Sequence, residues 1–290
     1  MEIRTLKSFV SVVEAGSFSA ASAIVNLTQS AVSQHIKQLE EEIGTSLLIR
    51  TSHSVVLTEA GTIMYEYCKK ILKLAAECKE EISALTGCLR GELRIGVGSF
   101  IEPYIRKAAI EFMKKFPGVR LNVEFEQSCR LNQMLREHKI DLAFTMNTAY
   151  EDEGIESTPA IPFRIYAIMS KGNHMAGKSV MSFKDIRKCD IIMPDVGERV
   201  FATIRKYINE DLTKLNVKAI VSSSGAALNV LGDINCITFL PILYIENRPD
   251  LTAVPIVGLD KDFVSNAHWM KDTAMKQSAK EFIGIVNRIR

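Results

Sequence analysis

The chain has 290 residues, of which 47% are hydrophobic, 24% charged and 7% aromatic, and its formal net charge is +2. This length allows about two domains with sizeable cores, and the composition is typical of a soluble globular protein. No apolar stretch is long enough for a secretory signal peptide or a membrane-spanning helix, and six scattered cysteines without a CxxC pair indicate reduced thiols. We therefore expect a cytoplasmic protein.

Charge is spread almost evenly along the chain. Residues 1–90 contain nine Lys/Arg and ten Asp/Glu, a net charge of −1, which leaves +3 for residues 91–290. Because no basic tail or patch marks a nucleic-acid partner, such a partner must be inferred from the placement of individual side chains.

Two short helices are predicted at the start of the chain. In the first, apolar residues recur at i, i+3, i+4 and i+7, at Leu6, Phe9, Val10 and Val13. Gly16 then ends this helix and Ser17 caps the next. The second helix is predicted to turn four apolar residues inward, Phe18, Ala21, Ile24 and Val25.

A third helix follows a tight connection at 26–28, with Thr28 as its N-cap and Gly44 at its end. Its buried stripe is predicted at Val32, Ile36, Leu39 and Ile43. The opposite face is polar, with Gln29 in the first turn, followed by Ser30, Ser33, Gln34 and Lys37. Three short helices with such a turn between the second and third form a helix-turn-helix, and the β-prone runs LLIR and VVLT predict a hairpin, or wing.

One long helix without proline is predicted over 58–88. Its apolar residues step by three or four and form a near-heptad seam, at Tyr67, Ile71, Leu74, Cys78, Ile82 and Leu85. The helix either packs on its own domain or dimerises the protein. Its isolated length favours a dimerising linker helix.

After a boundary at 87–91, strands and helices alternate, which predicts an α/β domain of two subdomains. The predicted strands are 93–97, 120–125, 141–144, 163–169, 190–193, 217–221 and 236–240. The predicted helices are 101–116, 129–138, 198–210 and 225–231, and a last strand and closing helix lie within 266–286.

Three turns between a strand and a helix carry small or polar residues: GVGSFI at 96–101, MPDVG at 193–197 and SSSG at 222–225. The amides of the first turn, with the Ser99 hydroxyl, could hold an anion or carboxylate; plain helix capping is the alternative. Because such turns gather at the carboxyl ends of strands, together they predict a ligand cleft.

Familiar catalytic motifs are absent: the sequence has no GxSxG, HExxH or GKS/GKT, and its five histidines are isolated. Distant residues can still meet in a fold, so this absence does not by itself exclude catalysis. We predict a protein that is not an enzyme, with no metal and no cofactor.

A dense set of residues in the first part of the chain, and four later motifs, occur in a recognisable order. They are Leu6, Phe9, GSFSAA at 16–21, TQSAVS at 28–33, Ile36, Leu39, Glu40, Gly44, Leu47, Arg50, LTEAG at 57–61, GELRIGV at 91–97, FMKKFPGVRLNV at 112–123, HKIDLAF at 138–144 and ITFLP at 237–241. The pattern resembles the LysR-type transcriptional regulators, over almost the whole chain.

The resemblance implies an all-α winged helix-turn-helix at 1–58, a linker helix at 59–90 and a two-lobed α/β effector domain at 91–290, like periplasmic solute-binding proteins. The chain would cross between lobes near 162–164 and 264–268, with lobe I at about 91–162 and 268–290 and lobe II at about 163–267. A small-molecule effector, anionic if the first turn holds it, would bind between the lobes. Its expected contacts are Ser99, Phe100, Ser128, Thr145, Asn147, Val196 and Ser223.

By the same resemblance, the protein is a sequence-specific regulator that binds double-stranded DNA as a homodimer or homotetramer. The third helix would enter the major groove N-terminus first, so that Gln29, Ser30, Ser33 and Gln34 reach base edges. The expected phosphate contacts are Thr28, Lys37, Arg50 and Thr51, with His53 at the wing tip.

Two alternatives stay open. In the first, the protein is a small-molecule receptor or enzyme that merely dimerises through its N-terminal helices; the polar face at 29–37 disfavours this, because a dimer surface would be apolar. In the second, the regulator is a thiol redox switch that uses Cys189 and Cys236.

Overall fold

A computed structural model describes residues 1–50, 55–85, 89–146, 154–195, 214–221, 223–259, 261–271 and 273–289. The chain divides into two compact units, Met1–Ile82 and Ser83–Arg290. The helix predicted at 198–210 lies outside the described residues. Within the described ranges, no helix has both the length and the apolar character needed to cross a bilayer.

The first unit is a winged helix-turn-helix followed by a long helix, as predicted. Its elements are α1 (Ile3–Ala15), α2 (Phe18–Val25), α3 (Gln29–Ile43), β1 (Leu48–Arg50), β2 (Val55–Leu57) and α4 (Glu59–Leu85). Strands β1 and β2 pair antiparallel and form the wing. Left-handed Gly16 ends α1, and the Ser17 side chain then caps α2 by accepting the Ala20 N–H.

Two residues predicted to face inward are exposed instead, namely Ile24 and Ile43. On α2, Phe18 and Val25 lie to one side of the fully buried Ala21, whereas Ile24 lies about 60° to the other side, away from the core. At the end of α3 the chain turns back at Gly44, and Leu47 and Leu48 fill the core below Leu39.

Helix α4 packs on the helix-turn-helix through its first turns, where Cys68 is fully buried. The predicted seam then leaves the core: Ile71 is half-buried, whereas Tyr67, Leu74 and Ile82 are about 60% exposed. Cys78 is also exposed. Because burying apolar area drives association, this stripe is a surface that a second chain can cover.

The second unit contains two five-stranded sheets, one in each lobe. Lobe I has the order β4-β3-β5-β12-β6 and lobe II the order β11-β7-β10-β8-β9. The strands are β3 (Gly91–Val97), β4 (Val119–Phe125), β5 (Leu142–Thr145), β6 (Ile155–Phe163), β7 (Ile165–Ser170), β8 (Asp190–Pro194), β9 (Val217–Val221), β10 (Cys236–Pro241), β11 (Leu251–Pro255) and β12 (Phe263–Met270).

Helices cover both sheets and complete the predicted α/β architecture. They are α5 (Glu102–Lys115), α6 (Ser128–Arg136), α7 (Phe183–Ile186), α8 (Ser224–Val230), α9 (Gln277–Val286) and a 3₁₀ helix at Ile242–Ile245. In each sheet the strands that feed helices are parallel: β3 pairs with β4 and β5, and β8 pairs with β9 and β10. This arrangement brings helix starts and carboxyl strand ends to one edge of each sheet.

Most of β6 and all of β11 are additions to the predicted elements. Both contain proline, at Pro159 and Pro162 in β6 and Pro255 in β11, and proline argues against a central strand. Both lie at the edge of their sheet, where a missing backbone donor is tolerated.

The chain crosses between the lobes at Arg164, as expected, but the second predicted crossing at 264–268 is wrong. Strand β12 already belongs to the lobe I sheet from Phe263, so the return lies between Pro255 and Phe263. What stands near 265 is a register shift in the pairing of β12 with β6. An ion pair of 2.6 Å between Arg164 Nε and Asp262 Oδ1 joins the two crossings.

A buried ion triad fastens α9 to the lobe I sheet. The Asp141 carboxylate accepts hydrogen bonds from Lys276 Nζ at 2.9 Å and from Arg94 Nη2 at 3.0 Å. Burial alone would raise the pKa of Asp141, but Lys276 and Arg94 more than offset it, and the pKa lies below its ordinary value. The carboxylate is therefore charged in the folded protein at neutral pH.

Candidate DNA-binding helix and interlobe cavity

The polar face of α3 is open to solvent. Gln29, Ser30, Gln34 and Lys37 are exposed and Ser33 is half-buried. Thr28 is the N-cap, with its Oγ1 accepting the Ala31 N–H at 3.2 Å and lying 3.0 Å from Ser30 Oγ. These side chains share one face because they are spaced at i, i+1, i+4, i+5 and i+8 from Gln29.

Contacts on the other side of α3 fix the direction of this face. Val32, Ile36 and Leu39 are fully buried. His35 Nδ1 lies 2.8 Å from Ser8 Oγ on α1, and Glu40 Oε1 accepts the backbone N–H groups of Leu47 and Leu48 at 2.8 and 3.2 Å. The helix is thus tied to α1 on one side and to the start of the wing on the other.

Lys37, a predicted phosphate contact, pairs with Glu41 one turn further along, at 3.6 Å. Both side chains are well exposed, and exposed i,i+4 pairs contribute only about 0.3–0.5 kcal/mol. A DNA phosphate can therefore replace Glu41 at little cost. The backbone of Arg50 pairs with Val55 in the wing, whereas its side chain, Thr51 and His53 lie outside the described residues.

A cavity of about 460 Å³ lies between the two lobes. Its described lining comes from carboxyl ends of strands, first turns of helices and the 3₁₀ helix: Val97, Gly98, Ser99, Glu102, Phe125, Glu126, Gln127, Asp195, Ser223, Ser224 and Tyr244. This is the predicted position for a ligand in an α/β fold.

Of the predicted effector contacts, Ser99 and Ser223 line the cavity. Phe100 does not: it is only 2% exposed, and its ring lies 6.3 Å from that of Phe163 in the core. Ser128 is half-buried at the start of α6, next to Gln127 in the lining. Asn147 and Val196 lie outside the described residues.

Thr145, another predicted effector contact, lies in the core behind the cavity. It is fully buried, and its Oγ1 lies 3.0 Å from Nε2 of the equally buried His268. Burial lowers the pKa of His268 to about 4, so the imidazole is neutral at pH 7. This pair joins strands β5 and β12, and Thr145 is not among the described residues that line the cavity.

The three turns predicted to form a ligand cleft supply about half of the described lining, because Val97, Gly98, Asp195 and Ser224 lie within them. Sequence reasoning missed the other lining residues, which are Glu102, Phe125, Glu126, Gln127 and Tyr244. A positional signal existed for two of them, because Phe125 ends β4 and Glu126 follows it. Reading the residues at every strand end would have found these two.

Several contacts link the lobes around the cavity. Gln127 Nε2 donates to Asp195 Oδ2 at 3.2 Å, and Lys107 Nζ donates to Glu246 Oε1 at 2.7 Å. The Tyr244 hydroxyl forms hydrogen bonds with the Ser224 side chain and the Glu102 backbone, and burial raises its pKa. A ligand that binds here therefore contacts groups that also hold one lobe to the other.

The two cysteines considered as a redox switch are free and buried. Burial raises the pKa of Cys189 and of Cys236. Thiols react with oxidants as thiolates, so both environments disfavour that chemistry.

A winged helix-turn-helix with an exposed polar third helix, followed by a two-lobed domain around a cavity, is the architecture of a ligand-responsive DNA-binding regulator. Family models agree over nearly the whole chain. "Bacterial regulatory helix-turn-helix protein, lysR family" matches residues 3–62, and "LysR substrate binding domain" matches residues 87–289. The chain belongs to the LysR family of transcriptional regulators.

Individual relatives are named as transcriptional regulators. The RuBisCO operon transcriptional regulator of Allochromatium vinosum is 28% identical over 210 residues, 72% of this chain and 69% of that protein. The regulator AlsR of Bacillus subtilis is 32% identical over 197 residues, 66% of this chain and 64% of its own. YnfL of Escherichia coli, an HTH-type transcriptional regulator, is 27% identical and spans 100% of this chain and 99% of its own.

Solved structures share the fold at lower sequence identity. Full-length CbnR in complex with its target DNA has a TM-score of 0.65 and 21% identity, with 100% of both chains covered. A full-length variant of OxyR from Pseudomonas aeruginosa has a TM-score of 0.73 and 17% identity, covering 100% of this chain and 95% of that one.

Proposed function

We propose that the protein is a cytoplasmic regulator, not an enzyme, that binds a near-palindromic double-stranded DNA site and changes transcription when a small molecule binds between its lobes. The observation that carries the proposal is the exposed polar face of α3 over a fully buried apolar stripe. The names of the relatives, all transcriptional regulators, support a role other than catalysis.

On DNA, the N-terminal end of α3 would lead into the major groove, as in other helix-turn-helix proteins. Gln29 and Gln34 would pair with adenine edges, and Ser30 and Ser33 would add less selective contacts. Thr28, Lys37, Arg50, Thr51 and His53 would contact phosphates and fix the register. A twofold dimer places the half-sites about one helical turn, ~34 Å, or a multiple of it apart.

The effector would act through the contacts that join the lobes. A ligand shifts an equilibrium only if it binds one of two states more tightly. Here it would compete with or reinforce the bonds made by Gln127, Asp195 and Tyr244 across the cavity. The resulting change in lobe position would alter how the paired DNA-binding heads are spaced in the dimer or tetramer.

Selection of bound DNA from a random pool by the full chain, with and without candidate metabolites, tests this function. We expect enrichment of an inverted repeat with two matching half-sites, and a change in enrichment with one metabolite. A pool that stays random under conditions where the chain is folded would contradict the DNA-binding role.

Gln29→Ala and Lys37→Ala are expected to separate base reading from phosphate contact. Losing one good base contact costs about 1–3 kcal/mol of discrimination at one position. Losing a phosphate contact weakens binding to all sequences. It also reduces the slope of log K against log salt concentration by about one, because about one counterion fewer is released. Selection profiles and salt titrations of each variant measure both effects; an unchanged profile for Gln29→Ala would show that this face does not read bases.

Leu74→Asp is expected to weaken the dimer, because it places a charge in the middle of the exposed seam of α4. Leu74 is 64% exposed in the single chain, so the folded monomer tolerates the change. Sedimentation analysis should show an increase of at least about tenfold in the dimer dissociation constant, since a buried leucine contributes about 1.5–3 kcal/mol. The control is Ala76→Asp, an equal charge off the seam, which should leave association unchanged.

A further inference from the structure

The charge of the cavity lining indicates what kind of molecule it accepts. Glu102, Glu126 and Asp195 all line the cavity and are exposed to it. Among the described lining residues these carboxylates are the only charged groups. Asp195 accepts a hydrogen bond from the neutral amide of Gln127 in lobe I, at 3.2 Å.

Helix N-termini at the cavity oppose this charge, but they are too weak to reverse it. Each N-terminus is equivalent to about +0.5 of a charge, so α5, α6 and α8 together offset about half of the charge of the three carboxylates. The start of α5 is also a poor anion site, because Pro103 has no N–H and the Tyr104 N–H already donates to Ile101 O at 3.1 Å. At α8, the Ala226 N–H is taken by Ser223 Oγ at 3.2 Å.

The lining also offers an aromatic surface. Phe125 is 57% exposed at the end of β4, directly before Glu126, and Tyr244 faces the cavity from lobe II. Removing an exposed phenylalanine ring from water is favourable, so the ring can pack against methylene groups of a ligand. Its face can also attract a cation. Carboxylates beside an aromatic ring are a combination that suits an ammonium or guanidinium group on an apolar body.

We propose that the cavity binds an organic cation, a small molecule with an amine or guanidine group and an aliphatic body, rather than an anion. The carboxylates of Glu102, Glu126 and Asp195 would receive its N–H donors, and Phe125 would contact its methylene groups. The proposal rests on the cavity being the effector site of the proposed regulator, and it replaces the expectation of an anionic effector.

Calorimetric titration of the full chain with three probes that share a five-carbon body tests the preference. The probes are 1,5-diaminopentane, pentane-1,5-diol and glutarate. We expect the diamine to bind at least about tenfold more tightly than the diol and glutarate to bind more weakly than the diol, since each nearby charge changes affinity about fivefold in water. Binding of the diamine should weaken as the salt concentration rises from about 0.05 to 0.5 M, because salt screens its attraction to the carboxylates.

Variants that remove a charge but keep the side-chain shape test which carboxylates attract the diamine. Asp195→Asn and Glu126→Gln should each lower the affinity for the diamine at least about fivefold and leave the affinity for the diol unchanged. The matched control is Asp233→Asn, an exposed residue of lobe II outside the cavity lining, which should change neither. Thermal unfolding of each variant verifies that the fold is kept.

Glutarate as the tightest probe, equal or absent binding of all three, or diamine binding that is insensitive to both carboxylate variants would overturn the proposal. Selection of DNA without any ligand separates this outcome from the regulatory function. A chain that selects a DNA site but does not prefer the diamine remains a DNA-binding regulator with a different effector.

Discussion

Asp141→Ala is expected to lower the free energy of unfolding of the effector domain by about 3–5 kcal/mol, the usual cost of removing one partner from a buried ion pair. The carboxylate is 3% exposed and Lys276 is 10% exposed, so the substitution leaves an ammonium group with little access to water. Arg94 loses its partner at the same time. Denaturant unfolding followed by the fluorescence of Trp269, the single tryptophan of the chain, measures the loss in this domain.

A matched control is Glu111→Gln, which breaks an exposed ion pair of 2.8 Å with Arg288 in the same lobe. Exposed pairs contribute about 0–1 kcal/mol, so its effect should be several times smaller. Equal effects of the two variants would contradict the role of the buried triad.

The same triad has a pH signature. The pKa of Asp141 is lower in the folded chain than its ordinary value of 3.8. A depressed carboxyl pKa contributes stability that is fully present above the unfolded value and is lost as pH falls through the folded one. The stability difference between wild type and Asp141→Asn should therefore be constant near neutrality and shrink once the pH drops below about 3.8.

Much of the fold could be predicted from local patterns. Val32, Ile36 and Leu39 form the buried stripe of α3 because helical spacing alone places them together. Ile43 fits the same spacing but is exposed, because the chain turns at Gly44 and Leu47 takes the place below the helix. Where the chain turns back is a tertiary property, and periodicity does not contain it.

The acidic run at 40–42 shows the same limit. From the sequence, its place at the C-terminal end of α3 predicts only that it points away from the DNA groove. In the structure, each of the three glutamates also has a partner. Glu40 accepts the N–H groups of Leu47 and Leu48, Glu41 pairs with Lys37, and Glu42 pairs with the N-terminal amine. The run therefore helps to hold α3 in position, and the partners of Glu40 and Glu42 depend on how the chain folds back on this helix.

The place of the interlobe cavity could be predicted from the sequence, whereas the carboxylates in its lining could not. Ser99 and Ser223 were expected to contact the effector and line the cavity, whereas Phe100 and Thr145 are buried in the core. The carboxylates come from three separate strand-to-helix turns, and only the fold brings Glu102, Glu126 and Asp195 around one cavity. The charge of a site assembled in this way cannot be read from the sum over a domain, which here is slightly positive at +3 for residues 91–290.

Gly61→Ala is expected to destabilise the DNA-binding unit by about 3 kcal/mol or more, above the usual cost of overpacking. A Cβ atom at Gly61 would lie within van der Waals overlap of the Leu47 carbonyl, with 2.9 Å to the Leu47 carbonyl carbon. Backbone atoms cannot rotate away as a side chain can. The start of α4 would therefore have to move off the chain that leads into the wing.

The contacts around Gly61 explain why this approach is so close. Thr58 Oγ1 accepts the Gly61 N–H at 2.9 Å and donates to Ser46 O at 2.9 Å, and the Thr58 N–H donates to Leu47 O at 3.0 Å. One threonine thus binds the first turn of α4 and the segment before β1 together. Displacing α4 breaks this set of bonds and loosens the wing at the same time.

Hydrogen exchange by mass spectrometry distinguishes this local effect from general damage. In Gly61→Ala, amides of α3, the wing and the start of α4 should lose protection while those of the effector domain keep it, and DNA binding should weaken. Gly284→Ala makes the same change in α9, where no atom beyond the adjoining residues and backbone of the helix itself lies within 4 Å of the added methyl group. There alanine should stabilise the helix by about 0.8–1 kcal/mol, seen as a higher unfolding midpoint by Trp269 fluorescence. The opposite signs expected for one substitution at two helical glycines follow from the close contacts at Gly61, above all the one with the Leu47 carbonyl. Unchanged protection around Leu47 in Gly61→Ala would contradict this account.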